Sequence, residues 1–579
     1  MTRDAPLPRI HSTHSLISIS TLVKWCRGAR HFKLQSVKKV KKLKSGNIVV
    51  GFLHTNVFPH LISDQPCNAR DLGIEGRSIV CVCNAQYCDT VTREAPASGR
   101  FVAYTTSKSG KRFEKSYGSI QIGLPFAMET QSKAQEKVTP EATLALSAST
   151  RYQTIEGFGG SVTDAAAINW RKLSDTTQSH FIRSYFSSEG LEYNMIRVPI
   201  GGADFSTHPY TYNEHPWHDA ALSNYTLADE DYFYKLPMIK QSQLVSTDEI
   251  KITASTWSPP VWMKTNERIT GFAQLRPEYY QAYADYHLKF IEEYSKAEVP
   301  IWAITTTNEP INGVVPFVDF NSLGWFPSDL GRWIANNLGP TIRNSRFNNT
   351  LILAIDDQRY LLHIYLNGMQ RGDPKSIEYI DGIAIHYYGN FAPASLLTNI
   401  QNSYPDKILL STEACEGPMP WDVMKVKVGS WERAQRYTRS IMQDLNNFVV
   451  GWIDWNLCLD ENGGPNWADN FVDAPILVYG DKDEFIKQPM FYAMGHFSKF
   501  IPRGSKRIQV NQRSLFSIDN VAFITPAGNI VMVLHNRNSY DMTVKITTVL
   551  VRYIEVTVEA ESIMTVEIND AWISTNTVS

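Results

Sequence analysis

The chain has 579 residues, 43% of them hydrophobic and 20% charged, which is enough for more than one domain and a large core. This balance excludes a largely disordered protein, and no apolar run is long enough to span a bilayer. The net charge of −2 hides a division, because residues 1–50 sum to about +10 and the remainder to about −12.

The basic segment at the start of the chain concentrates its lysines between Lys38 and Lys44. No aromatic-studded basic fold surrounds them, so we do not expect binding to nucleic acid. Residues 1–66 are interpreted as an N-terminal tail that is disordered or non-native. The acidic remainder suits an acidic compartment, where partial protonation of carboxylates lowers self-repulsion.

Four closely spaced cysteines follow, namely Cys67, Cys81, Cys83 and Cys88. A metal knuckle is one interpretation, but the group lacks the paired CxxC spacing of zinc sites. Two disulfides are favoured, which indicates an oxidising compartment. The cysteines left free would be Cys26, Cys415 and Cys458. The sequons at Asn224 and Asn348 are compatible with glycosylation in such a compartment.

Short β-forming runs separated by turns occupy two parts of the chain. The first part gives Ser78–Val82, Arg100–Thr105, Gly118–Ile122 and Thr143–Ser147; the second gives Ala522–Thr525, Ile530–His535, Thr543–Val549 and Tyr553–Val558. We expect N- and C-terminal strands to join in an all-β sandwich beside a central domain.

Between these parts, eight short apolar runs alternate with helix-like stretches such as Pro277–Tyr294 and Trp431–Asn447. The runs are Ile155–Gly159, Met195–Ile200, Ile252–Ser255, Ile301–Thr305, Leu351–Ile355, Gly382–His386, Ile408–Ser411 and Val449–Asp454. Continuous apolar runs are typical of parallel strands buried on both faces. Eight of them predict an α/β fold, a (β/α)8 barrel; a doubly wound open sheet, the alternative, would need fewer.

Two glutamates follow the fourth and seventh runs, and active sites of such barrels lie where strands end. Glu309 and Glu413 are therefore predicted to be the acid/base and the nucleophile of a glycosidase. A departing glycosidic oxygen needs a proton, and the charge growing at the anomeric carbon needs a carboxylate. If the two carboxyl groups lie about 5 Å apart, the reaction retains the anomeric configuration.

Polar and aromatic residues at other strand ends fit the same pocket. Asn308 is placed to bind a sugar 2-hydroxyl, and Trp257 and Trp455 are placed to line the pocket. His386 is equally consistent with a buried core histidine or with a residue that orients Glu413. Tyr388, two residues further on, is assigned a supporting position.

At these residues the sequence resembles the lysosomal acid glucosylceramidase (acid β-glucosidase) family, in order from about Cys67 to the C-terminus. The motifs are Gly157-Phe-Gly-Gly-Ser-Val-Thr-Asp164, Arg197-Val-Pro199, Asp204-Phe-Ser206, Thr307-Asn-Glu-Pro310, Ser411-Thr-Glu-Ala414, Gly463-Gly-Pro-Asn-Trp467, Lys487-Gln-Pro-Met-Phe-Tyr492 and Gly495-His-Phe-Ser-Lys-Phe500. The resemblance implies hydrolysis of glucosylceramide to glucose and ceramide at acidic pH, without a metal or other cofactor. It also implies a saposin-type activator and an anionic membrane surface in the lysosome; secretion is the alternative.

The resemblance also assigns individual residues. Glucose-contacting positions fall on Asp204, Trp257, Asn308, Trp455 and Asn470. Arg197 falls near the nucleophile, where it would keep Glu413 ionised. The disulfides would be Cys67–Cys81 and Cys83–Cys88. The loop Ile311–Phe320 departs from the family pattern, and Val318 stands where a pocket-edge tyrosine is expected.

These features together predict four regions. A tail at 1–66 precedes a small disulfide-bonded, three-stranded β domain from 67–95 and 457–488. A sandwich comes from 96–152 and 505–579, and the barrel from 153–456 and 489–504. Two other activities compete: hydrolysis of β-1,6-glucan or xylan by a related enzyme, and lipid binding without catalysis on the same fold.

Overall fold

The computed structural model describes residues 64–123, 140–419, 421–514, 518–548 and 552–569. Apart from residues 64–66, the predicted N-terminal tail lies outside the described residues, as do Cys26 and residues 570–579 of the predicted sandwich.

Eight parallel strands close into a barrel, as predicted. Their bounds are Gly157–Ser161, Met195–Ile200, Lys251–Thr256, Ala303–Thr305, Leu351–Gln358, Gly382–His386, Ile408–Glu413 and Val449–Asn456. Each follows its predecessor around the ring, and the eighth pairs with the first through Gly451 and Gly157. Nearly every strand residue is buried, because helices cover the outer face and side chains fill the inside.

Helices alternate with the barrel strands and pack around them. The α-helices are Asp164–Arg171, Asp175–Phe186, Leu236–Val245, Tyr280–Lys296, Pro327–Trp333, Gly339–Arg343, Leu362–Gly372, Lys375–Tyr379, Ser395–Ser403, Trp431–Asn446 and Pro489–Ser498. Shorter helical turns are Asp231–Lys235, Val261–Met263, Pro277–Tyr279, Asn312–Val314, Ile334–Leu338, Arg359–Leu361, Tyr387–Gly389 and Gly480–Lys482. Thr163 caps the helix Asp164–Arg171, and its hydroxyl accepts a bond from the amide of Ala166.

The predicted sandwich is confirmed, and ten strands contribute to its sheet. They are Arg100–Ser107, Glu114–Ser119, Gln121–Ile122, Ala142–Thr154, Lys506–Ser514, Asp519–Ile524, Ile530–Asn536, Met542–Thr547, Arg552–Val558 and Ser562–Asn569. N- and C-terminal segments meet where Ala142–Thr154 pairs with Lys506–Ser514. This sheet encloses an aliphatic core of its own.

The small disulfide-bonded sheet has five strands rather than the three predicted. Val80–Asn84, Ile476–Tyr479 and Glu484–Lys487 are its longer strands, and Ala69–Arg70 and Leu459–Asp460 form its edges. A two-residue strand has too few positions to show alternation, so the sequence pattern misses both edges. Disulfides join Cys67 to Cys81 and Cys83 to Cys88, while Cys415 and Cys458 are free and buried. Among the described residues, no helix is both long and apolar enough to cross a membrane.

Candidate active site

The two predicted acids meet at the mouth of the barrel. Glu413 ends the seventh strand, and Glu309 follows the fourth. One carboxylate oxygen of each, and one ring nitrogen of His386, all lie within 4.8 Å of one another. Glu413 is 5% exposed, so it is desolvated while remaining at the cavity wall.

Glu309 is held by contacts on both carboxylate oxygens. Its Oε1 accepts a bond of 2.9 Å from the amide of Gln358 and lies 3.1 Å from Nδ1 of His386. Its Oε2 accepts a bond of 2.5 Å from the side-chain amide of Asn312. The residue has φ of 42°, a left-handed conformation that L side chains rarely adopt. The carboxyl group is therefore fixed by its own turn and by three neighbouring side chains.

Glu413 is surrounded by a cation and a phenol. Arg197 donates to its Oε2, and the Tyr388 hydroxyl donates to its Oε1 at 2.8 Å. Burial raises the pKa of Glu413, and the positive charges of His386 and Arg197 oppose that rise. The Arg197 guanidinium also lies over the rings of Trp257 and Trp455, at 4.9 and 5.3 Å.

Behind both acids lies Asp356, which the sequence analysis did not single out. This fully buried carboxylate accepts bonds from five side chains: Arg197, Ser255, Thr305, His386 and Thr412. Burial disfavours its charge, but Arg197 and His386 outweigh that and hold its pKa well below the usual range. The sequence did carry one signal for this residue, the pair Asp356-Asp357 directly after the apolar run Leu351–Ile355.

His386 bridges Asp356 and Glu309. Its Nε2 lies 3.0 Å from Asp356, and its Nδ1 faces Glu309 and, at 3.7 Å, Glu413. Burial opposes protonation, yet the charges of Glu413 and Asp356 raise the pKa of His386 to about 10. A protonated imidazole donates from both nitrogens and offers no lone pair to a metal. In this protonated state His386 donates toward Asp356 and Glu309, so the cluster of Glu309, His386 and Glu413 can support proton transfer.

The residues assigned to glucose all lie in the lining of a cavity of about 500 Å³. They are Asp204, Trp257, Asn308, Trp455 and Asn470. Trp257 and Trp455 are stacked with ring centroids 5.1 Å apart, and Asn470 donates to Asp204 at 3.0 Å. Burial and the charge of Glu413 raise the pKa of Asp204 to about 7. At acidic pH this carboxyl can both donate to and accept from a sugar hydroxyl.

A second group of lining residues is apolar or aromatic. It consists of Ile311, Phe320, Tyr360, Phe391, Pro418, Met419 and Trp421. Val318, which stands where a pocket-edge tyrosine is expected, is not among the residues that line the cavity, and its carbonyl accepts a bond from the backbone amide of Gly271. Phe320 of the same loop does line the cavity. A second hollow of about 670 Å³ lies near Trp170 and Leu236, but Asp175 is the one carboxylate in its lining, so it lacks an acid pair.

Comparison with known proteins identifies the family. The glycosyl hydrolase family 30 TIM-barrel domain matches residues 155–501, and the family 30 beta sandwich domain matches residues 504–566. The chain belongs to glycosyl hydrolase family 30. It is a glycoside hydrolase.

Relatives within family 30 include glucosylceramidases. Lysosomal acid glucosylceramidase of Mus musculus is 40% identical, over 86% of this chain and 94% of the mouse protein. Putative glucosylceramidase 3 of Caenorhabditis elegans is 38% identical, over 83% of this chain and 90% of that protein. A solved endo-β1,6-glucanase structure has a TM-score of 0.70 and 25% identity, covering 81% of this chain and 99% of that one.

Proposed function

We propose that this family 30 hydrolase is a retaining exo-β-glucosidase that converts glucosylceramide to glucose and ceramide. The observation that carries the proposal is the approach of Glu309 and Glu413 to within 4.8 Å at the floor of a pocket. Retaining glycosidases hold their carboxyl groups about 5–5.5 Å apart, whereas inverting enzymes leave about 6.5–9.5 Å for a water molecule.

In the first chemical step, the Glu413 carboxylate attacks the anomeric carbon and the bond to the aglycone oxygen breaks. Glu309 gives its proton to that oxygen, which leaves as the hydroxyl of ceramide. In the second step, water attacks the glucosyl ester and gives a proton to Glu309. Glucose leaves, Glu413 is again a carboxylate, and Glu309 is again an acid.

Arg197 and His386 carry positive charge beside Glu413, so they favour its ionised form when substrate arrives. Both cations are anchored on Asp356, which keeps them in place as Glu413 loses its charge on forming the ester. The site is therefore organised for charge that moves during the reaction.

The glucose side of the cavity supports action on a terminal sugar. Asp204, Asn470 and Trp257 would bind one glucose, with Asn308 at its 2-hydroxyl. Asn308 is itself oriented by Arg197, which donates to its Oδ1 at 2.7 Å. A pocket for one sugar suits an exo-enzyme, whereas a polymer would need several subsites along an open cleft.

The aglycone side supports a lipid. Tyr360, Phe391 and Trp421, which we call the aromatic rim, line the cavity and are also exposed, Phe391 by 83% and Trp421 by 75%. Exposed apolar patches beside a pocket commonly mark a lipid or protein contact. A ceramide in a bilayer could enter here while the rim contacts its membrane.

The names of the mouse and nematode relatives further support glucosylceramide as the substrate. On this proposal the protein works in the lysosome at an anionic membrane with a saposin-type activator. The disulfides and the exposed sequon residues Asn224 and Asn348 fit passage through the secretory pathway.

Hydrolysis of β-1,6-glucan is the competing activity, favoured by the likeness to the endo-β1,6-glucanase structure. The test is to assay the purified chain at mildly acidic pH on fluorescent glucosylceramide in anionic vesicles, on β-1,6-glucan and on xylan. Glucose release from the lipid is expected. Turnover of the polymers alone would overturn the substrate assignment, and lipid binding without turnover would indicate a non-catalytic protein.

A further inference from the structure

We propose that Asn312 is a positioning residue for the acid/base, holding Oε2 of Glu309 as the oxygen that carries the transferred proton. The inference rests on the proposed role of Glu309. It comes from the loop Ile311–Phe320, where this chain departs from the expected family pattern, and it gives one residue of that loop a part in the reaction.

The two oxygens of Glu309 have unequal surroundings. A carboxyl group offers about two lone-pair positions on each oxygen. Both positions of Oε1 face donors, the amide of Gln358 at 2.9 Å and Nδ1 of protonated His386 at 3.1 Å. Among the described residues, Asn312 is the one donor to Oε2, which leaves one position for a proton. The geometry therefore places the acidic proton on Oε2.

Asn312 and Glu309 belong to the same tight turn, which fixes their relative positions. Its backbone amide donates to the carbonyl of Glu309 at 2.9 Å, closing the turn in which Glu309 has φ of 42°. The next residue of that turn, Gly313, packs closely on Gly324. A Cβ added to Gly313 would lie 1.9 Å from the amide nitrogen of Gly324. Asn312 thus holds the main-chain carbonyl of Glu309 through its backbone amide and the carboxyl group through its side chain.

Asn312 and Glu309 both line the cavity. The amide therefore holds the proton-carrying oxygen from beside it, without occupying the position of the proton. Without it, the Glu309 carboxyl could rotate about its terminal bond, and fewer bound substrates would have the proton directed at the glycosidic oxygen. Such a loss affects only substrates whose leaving group needs protonation.

The experiment compares kcat/KM on two glucosides, because this ratio reports the first chemical step. An alkyl β-glucoside has a poor leaving group, and 2,4-dinitrophenyl β-glucoside has one that departs without a proton. For Asn312→Leu we expect a loss of about tenfold or more on the alkyl glucoside and less than about twofold on the other. Asn312→Gln keeps a donor and should recover part of the loss.

Two further variants complete the test. Ile311→Ala changes the same loop and cavity wall without touching Glu309, so any loss should be equal for both glucosides. Glu309→Gln should show the leaving-group dependence more strongly than Asn312→Leu. If Glu309→Gln lacks it, the acid/base assignment itself fails. If Glu309→Gln shows it but Asn312→Leu loses activity equally on both glucosides, or not at all, the role of Asn312 is wrong.

Discussion

Nε2 of His386 lies 3.0 Å from a carboxylate oxygen of Asp356, and both side chains are fully buried. Asp356 thereby holds the cation that faces Glu309 and Glu413, and it holds Arg197 in the same way. Removing one partner of a buried ion pair costs about 3–5 kcal/mol, so loss of this anion is expected to destabilise the fold as well as the site.

Asp356→Asn is predicted to inactivate the enzyme. The substitution removes the negative charge that keeps Arg197 and His386 in place, so the Glu413 carboxylate loses its oriented cations. We expect kcat/KM to fall by about a hundredfold or more on good and poor leaving groups alike, because the nucleophile serves both. The free energy of unfolding, measured in urea, should fall by about 3 kcal/mol or more.

The neighbouring aspartate provides the matched control. Burial raises the pKa of Asp357, and a charge on the neighbouring Glu309 would raise it further, so we expect this carboxyl to be neutral at mildly acidic pH. Asp357→Asn therefore changes no charge, and its cost should stay near 1 kcal/mol, from the backbone bonds of Ile311 and Gln358. Equal effects of the two substitutions would contradict the charge-based account of Asp356.

The strand-end rule found Glu309 and Glu413 but not Asp356, and the reason is local. Apolar runs located the barrel strands because both faces of a parallel strand are buried. The fifth run was expected to end at Ile355, but the strand continues to Gln358 through a bulge, with Ile355 and Asp356 at φ of 78° and 57°. A bulge breaks the alternation from which side-chain directions are predicted.

Two other features of the structure could not be predicted from the sequence, for different reasons. The strand Lys506–Ser514 is mostly polar, so no apolar run marks it, although it pairs along its length with Ala142–Thr154. The contact of Asn312 with Glu309 depends on a turn whose backbone angles have no periodic signature. Tertiary pairing decides the first structure and a local turn decides the second, and neither leaves an apolar or periodic pattern in the sequence.

Glu413→Gln is predicted to prevent formation of a covalent sugar–enzyme ester. An amide is too weak a nucleophile to displace even a good leaving group. The chain treated with a 2-fluoro-substituted β-glucoside carrying dinitrophenolate should gain the mass of one fluoroglucosyl group, and the peptide containing Glu413 should carry it. The Glu413→Gln variant should gain no mass, while Glu309→Gln should still be labelled. Label on another carboxylate would refute the assignment.

The aromatic rim is predicted to bind membranes without contributing to chemistry. Each large apolar side chain contributes about 1.5–3 kcal/mol when fully buried, so Phe391→Ser combined with Trp421→Ser should weaken vesicle binding by tenfold or more. The kcat on a soluble aryl glucoside should change little, whereas activity on vesicle-bound glucosylceramide should fall as vesicle binding weakens.

The control is Leu244→Ser, which removes a side chain that is 76% exposed and outside the cavity lining. It should leave vesicle binding unchanged. Equal losses from the two variants would refute the rim as the docking surface.

Stability is predicted to decrease on acidification because of His496, a histidine buried between the last barrel helix and the sandwich. Its Nδ1 lies 2.8 Å from the Thr565 hydroxyl, and burial, with the nearby His535, lowers the pKa of His496 to about 3. An unfolded histidine has a pKa of about 6.5. Below that pH the unfolded chain therefore binds a proton at this residue, whereas the folded chain does not. The stability that comes from the neutral state of His496 is fully present above pH about 6.5. As the pH falls toward 3, the free energy of unfolding decreases by about 1.4 kcal/mol per pH unit.

The test uses His496→Gln, whose side chain does not titrate. Its difference in unfolding free energy between pH about 6.5 and 5 should be about 2 kcal/mol smaller than that of the parent chain. His363→Gln, at an exposed position, should leave that difference unchanged, and an unchanged difference in His496→Gln would refute the buried-histidine explanation.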